Sequence, residues 1–241
     1  MARRQQERAE TRRKSGPWPA VVRTVSFDCF GTLIDWERGL SDAIARVLGP
    51  LPSERIRALV ASRGDVEWNA LCEMESFTPY REILATSLER AAGIVELDLD
   101  RGQAEQIAAS IREWPPFPDA REGLARIAAR HPVALVSNVD RCDIGDTMRA
   151  LGIESAHAVC ADDVACYKPE PDHLMALMHE LKLDEHELLH VSAYPEYDLR
   201  TARDLGIACV FVDRGAASAP EDLELETTVP DIVALAGHLK A

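Results

Sequence analysis

Four polar stations lie where apolar runs stop. Asp28 falls near the end of the run 21–30, and Ser137-Asn138 fall at the end of 132–139. Asp162-Asp163 follow the weaker run 156–160, with Tyr167-Lys168-Pro169 just beyond. The run 188–193 holds Ser192 and leads on to Asp198. Short β-branched and apolar runs of this kind read as buried strands. In an open parallel sheet, ligands bind beyond the carboxyl ends of the strands. An ionisable carboxylate, a hydroxyl and a lysine would therefore converge on one edge, a set equipped for binding a small ligand and for polar catalysis on it.

The elements that must position this set follow from the rhythm of the chain. A fifth run, 208–213, resembles the others, and helical patterns separate them at 120–130, 143–151, 171–181 and 198–205. Alternation of strands with helices of this length predicts βαβ units, hence an α/β core with a Rossmann-like parallel sheet and helices on both faces. Gly152 and Gly206 stand where helices stop before strands. Residues 36–114 break the rhythm. They contain helical stretches at 40–48, 53–73, 80–92 and 102–113, punctuated by prolines at 50, 52, 79, 115, 116 and 118. We read an all-helical cap domain at 36–114 inserted after the first strand. The core domain is then 20–35 with 115–241, 1–19 is a disordered basic tail, and 215–222 is a surface loop.

Composition narrows the function classes. The 241 residues divide into about one and a half average domains, which suits a core with one insertion. Formal net charge is −14, although residues 1–20 hold six basic side chains against Glu7 and Glu10. A body this acidic repels nucleic acid, and no apolar run is long enough to span a bilayer. The six cysteines form no C-x-x-C pair, and the first residues lack the apolar segment of a secretory signal. Reduced thiols in a cytoplasm are the expectation.

The motif residues carry a resemblance. Asp28-Cys29-Phe30-Gly31-Thr32-Leu33-Ile34-Asp35 is similar to motif one of the haloacid dehalogenase superfamily. Ser137-Asn138 resembles motif two, Lys168-Pro169-Glu170-Pro171 motif three, and residues 191–198 the region of motif four, in the right order across roughly 21–213. The helical insertion sits where that superfamily carries its cap. The resemblance implies a hydrolase in which Asp28 is the nucleophile, forming a covalent intermediate that water resolves.

Two departures from the superfamily's phosphatases point to a particular member. Their general acid/base aspartate, two residues after the nucleophile, is Phe30 here, and the expected acidic Mg²⁺ ligand of motif four falls on Ala193. Both fit the pattern of the 2-haloacid dehalogenases, which use no cofactor and release an anion that needs no proton. The resemblance then implies a small 2-haloacid as substrate and an ester on Asp28. Asp198 would orient or deprotonate the water. Lys168 would hold Asp28 ionised by lowering its pKa, and Thr32 would orient it. Ser137, Asn138 and backbone N–H groups at Phe30-Gly31 would bind the substrate carboxylate or an oxyanion. Arg63 is the leading cap arginine for the substrate, with Arg38 and Arg81 behind it. The alternatives are a Mg²⁺-dependent small-molecule phosphatase and a non-catalytic binding protein of this fold. No nucleic-acid or membrane partner is expected, and a homodimer stays open.

The remaining conspicuous residues read as structural. Trp36, Trp68, Trp114, Tyr80 and Phe117 are expected mainly in the core, and Cys29 is expected to pack on the face opposite Asp28. Asp35 is a turn residue. The histidines share no spacing, and none is assigned to catalysis. Glu196 reaches the site only if the extra length of the motif-four loop swings it inward.

Overall fold

Strand β1, Thr24–Asp28, lies at the centre of a six-stranded sheet of order β3-β2-β1-β4-β5-β6, every pair of which is parallel. The computed structural model describes residues 21–239; the basic tail expected at 1–19 lies outside them. Strands β2 (Val133–Ser137), β3 (His157–Cys160), β4 (Leu188–Ser192) and β5 (Ala208–Val212) are almost wholly buried, as near-continuous apolar strands covered on both faces must be. The sixth strand, β6 (Thr227–Val229), was not expected: three residues reading TTV make no apolar run.

Alternation along the strands divides the core in two. Val25, Phe27, Leu135, Leu189, Val191 and Val210 face one side. There they meet helix α5 (Ala120–Ala128) and the C-terminal helix α10 (Ile232–His238) through Leu124, Ile127, Ile232 and Leu235. Ala134, Val136, Leu188, Cys209 and Phe211 face the other side, against Leu174 and Leu177 of α8 (Asp172–Leu181) and Ala202 of α9 (Arg200–Asp204). Helix α6 (Arg141–Leu151) and the single turn α7 (Ala161–Val164) flank β3.

Between β1 and α5 the chain is helical throughout its regular structure. It forms α1 (Trp36–Leu48), α2 (Ser53–Cys72), α3 (Tyr80–Ile94) and α4 (Arg101–Ala109), the last continuing as a 3₁₀ turn, Ser110–Glu113. Helix α1 starts earlier than the apolar pattern suggests because Asp35 caps it, accepting the Arg38 N–H at 3.1 Å. Gly39 lets α1 close onto Trp114: a Cβ there would lie 2.3 Å from the indole. Helix α3 follows Pro79 and has no cap of its own. The core supplies one. Asp140 accepts the N–H groups of Tyr80 and Arg81 at 2.9 and 3.1 Å, and the Arg81 Nε–H donates to buried Asp143 at 2.7 Å. Four unpaired N–H groups and a positive dipole end make a helix N-terminus a natural seat for a carboxylate. This latch holds the helical insertion over the carboxyl edge of the sheet.

Candidate active site

The carboxyl ends of β1, β2 and β4 carry Asp28, Ser137 and Ser192 to one edge, where strand order reverses about β1. After Asp28 the chain folds back at once: Leu33 and Ile34 donate to the Cys29 carbonyl at 2.8 and 3.0 Å. This turn shortens β1 relative to its apolar run. It also brings the Thr32 hydroxyl to Asp28 Oδ2 at 2.7 Å, and the same hydroxyl accepts the Ala193 N–H at 2.9 Å. From outside, Arg214 ties the turn down. It donates to the Thr32 carbonyl at 2.9 and 3.0 Å while pairing with Asp119 at 2.8 Å.

Lys168 approaches from the loop after β3. Its N–H donates to Asn138 Oδ1 at 2.8 Å, so Asn138 sets the lysine's position. The buried Nζ donates to Asp28 Oδ1 at 2.6 Å, to Asp198 Oδ1 at 2.8 Å and to the Val136 carbonyl at 3.4 Å. Three acceptors use all three ammonium hydrogens. Burial alone would lower the lysine's pKa, but Asp198 and Asp28 outweigh it and the pKa rises, so the group stays charged.

The two carboxylates differ. Burial raises the Asp28 pKa and the Asp198 charge adds to that; Lys168 and Thr32 pull the other way without cancelling it. Lys168 thus lowers the Asp28 pKa, as expected of a neighbouring cation, while the low dielectric around a fully covered carboxylate sets the net direction upward. Asp198 is also buried, but Lys168 and His190 outweigh its desolvation and hold it well below the usual carboxylate range.

Asp198 lies in a π-helical turn, Pro195–Leu199. The Ser192 hydroxyl donates to its Oδ2 at 2.9 Å, and His190 Nε2 lies 3.3 Å from its Oδ1. Both Asp198 oxygens are engaged by these contacts and only 1% of the residue is exposed, so it holds Lys168 in place at the floor of the site. Glu196 does not swing inward; it pairs with Arg200 at 2.8 Å on the surface.

Above this edge lies a cavity of about 240 Å³. Asp28, Phe30, Ser137, Asn138, Lys168 and Asp198 line it from the core, and Trp36, Arg63, Glu67, Tyr80 and Trp114 from the helical insertion. Tyr194 and Tyr197 line it as well. Thr32 acts from behind through Asp28. Gly31 departs from expectation: it is not in the lining, and its N–H donates to the Ile34 carbonyl at 2.8 Å. Its φ of +96° and the lack of a Cβ make room for Tyr194, whose hydroxyl would otherwise lie 2.2 Å from that carbon.

Among the cap arginines, only Arg63 lines the cavity. Arg81 is engaged by Asp143, and Arg38 is exposed beside Asp42. Arg63 stacks over Trp36 at 4.9 Å and pairs with Glu67, and its Nε has no partner. Trp36, Trp114 and Tyr80 prove to be cavity wall rather than pure core. Glu67, Tyr194, Tyr197 and His190 were not singled out from the sequence, although Tyr194 and Tyr197 fall inside the motif-four region and Glu67 stands four residues after Arg63 on one helix. Cys29 is buried as expected, and its thiol is pushed up by burial and by the Asp28 charge.

Mg²⁺, which the phosphatase alternative requires, does not fit these donors. The ion needs near-octahedral oxygen ligands. Here the facing oxygens of Asp28 and Asp198 converge on an ammonium. Position 30 offers an aromatic ring packed edge-on against Trp114, and position 193 offers a methyl group.

A buried aspartate, lysine and aspartate at the switch of a doubly wound sheet under a helical insertion define a class of hydrolase. The sequence model of the haloacid dehalogenase-like hydrolases matches residues 22–206, and the chain belongs to that family. (S)-2-haloacid dehalogenase 4A of Burkholderia cepacia is 24% identical over 199 residues, covering 80% of this chain and 84% of that protein. Phosphoglycolate phosphatase of Yersinia pestis is 28% identical over 200 residues, covering 81% and 82%. Among solved structures, an L-2-haloacid dehalogenase superposes with a TM-score of 0.76 at 26% identity, covering 90% of this chain and 99% of that one. No helix among the described residues is long and apolar enough to cross a membrane.

Proposed function

We propose that the protein is a metal-independent dehalogenase acting on small 2-haloacids through an ester on Asp28. The observation that carries this reading is the chemistry of two positions beside Asp28: Phe30 and Ala193 stand where a phosphatase of this family would need a proton donor and an acidic Mg²⁺ ligand, and the Lys168 ammonium is left as the cation that Asp28 and Asp198 share, at 2.6 and 2.8 Å. An oxygen of Asp28 attacks the α-carbon as the carbon–halogen bond breaks, and the bonding pair leaves with the halide. Phe30 supports this assignment, because halide departs as an anion and needs no acid at that position. Water then adds to the Asp28 carbonyl carbon. The resulting oxyanion is held by Lys168 and Thr32, groups already within hydrogen-bonding distance of the carboxylate. Collapse releases the 2-hydroxy acid and restores Asp28, and one proton passes to solvent. Ser137, the Asn138 NH₂ group and the unpartnered Arg63 Nε–H are the donors for the substrate carboxylate.

The phosphoglycolate phosphatase likeness supports a second reading, phosphate-ester hydrolysis, which the donor set disfavours. One experiment separates them. Halide release from 2-chloropropionate should persist in EDTA and be unchanged by added Mg²⁺. Absence of halide release from a folded preparation, with Mg²⁺-dependent phosphate release from phosphoglycolate, would establish the phosphatase instead.

A further inference from the structure

The cavity contains a carboxylate that the proposed reaction does not use. Glu67 sits one helical turn after Arg63 on α2 and pairs with it, and the side chain is only 16% exposed. The Tyr80 hydroxyl lies 3.3 Å from both of its oxygens. Oε2 therefore has Arg63 and Tyr80 as partners, whereas Oε1 has only the long Tyr80 contact. Beside it the buried Arg63 Nε–H points to no acceptor. A plain 2-haloacid suits this wall poorly. Its carboxylate satisfies Arg63, but its alkyl end adds no donor to the long Tyr80 contact at Glu67 Oε1, and the lining already carries Asp28, Asp198 and Glu67 against Lys168 and Arg63. Buried polar groups demand partners, and a site built to accept a hydrogen bond rejects a ligand that lacks the donor.

We propose that Glu67 determines specificity, selecting 2-substituted acids that carry a hydrogen-bond donor, hydroxyl or ammonium, on the carbon beyond the reacting one. This rests on the reading of Asp28 as nucleophile toward a 2-haloacid. The carboxylate engages Arg63 Nε, and the donor engages Glu67 Oε1. Arg63 and Glu67 thereby read two ends of one small molecule, while Trp36 and Tyr80 fix the pair.

The test uses binding of 2-hydroxy acid products, so it does not depend on turnover. Racemic lactate, glycerate and isoserine differ only in the group on the third carbon: hydrogen, hydroxyl and ammonium. By titration calorimetry on the full chain, glycerate or isoserine should bind at least tenfold tighter than lactate, and which of the two is tighter identifies the donor. In Glu67→Gln the preference should fall to about threefold or less, with lactate binding tighter than in the wild type because Arg63 is released. Equal or tighter lactate binding by the wild type, no binding of any of the three, or a preference that survives in folded Glu67→Gln would overturn the proposal. The wild-type order alone decides if that variant does not fold. Halide release from 2-chloropropionate reports separately on Asp28.

Discussion

Replacing Lys168 by Met removes the only cation between two buried carboxylates and keeps most of the side-chain volume. At an effective dielectric of about 20, unit charges separated by the 2.6 Å between Nζ and Asp28 Oδ1 attract by about 6 kcal/mol. Desolvation of the three groups takes back much of this, and removing one member of a buried pair costs roughly 3–5 kcal/mol. At about 2–4 °C per kcal/mol for a chain of this size, the melting temperature should fall by about 6–20 °C. Part of the cost is avoided if Asp28 takes a proton, since burial and Asp198 already push its carboxyl up and Lys168 is the largest opposing influence. The sign for activity follows. Attack needs ionised Asp28, so activity is lost as pH falls through its pKa; without Lys168 that loss begins at a higher pH. The oxyanion also loses a donor, which lowers the rate on the plateau by about 10²–10³-fold. Halide release from 2-chloropropionate against pH, with circular dichroism to confirm folding, reads both effects. A Lys168→Met protein with the wild-type acid limb and plateau would refute the reasoning.

Two further substitutions probe what positions the site. Gly31→Ala combines a φ of +96° with a Cβ that meets Tyr194, whose hydroxyl accepts the Trp36 indole N–H at 2.8 Å. It should cost about 1–3 kcal/mol in urea unfolding and lower kcat, and wild-type stability would show that Tyr194 is not held there. Asp35→Ala removes the cap of α1 and should cost about 1 kcal/mol by the same measurement while leaving the acid limb in place; a moved limb would put Asp35 in the chemistry.

What could be read from the chain depended on whether a local pattern encoded it. Strands β1, β2, β4 and β5 were legible because burial on both faces leaves continuous apolar runs. Gly152 and Gly206 were legible as helix stops and do adopt left-handed φ, +75° and +83°. Strand β6 was not, because three residues with one buried valine carry no periodicity. The motif residues Asp28, Lys168 and Asp198 meet at one point because parallel strands deliver their carboxyl ends to a common edge. Their electrostatics were not legible: the direction of the Asp28 shift depends on its complete burial, and the depression at Asp198 on His190 and Lys168 together. The extra length of the loop before Asp198 was visible, but the π-helical turn that leaves Glu196 outside was not. The Asp140 latch joins elements about 60 residues apart in the chain, which no local pattern marks, and the exposure of Glu67 to the cavity depends on how its helix is set over the sheet.

The covalent step at Asp28 can be followed by isotope. A single turnover of excess enzyme with 2-chloropropionate in ¹⁸O-water, followed by mass analysis of the peptide containing Asp28 and of the released acid, locates the incoming oxygen. Attack of water on an aspartyl ester puts the label in the Asp28 carboxylate and leaves the lactate hydroxyl unlabelled. Label in lactate with none in Asp28 would mean that water displaces the halide directly and that Asp28 forms no bond to the substrate.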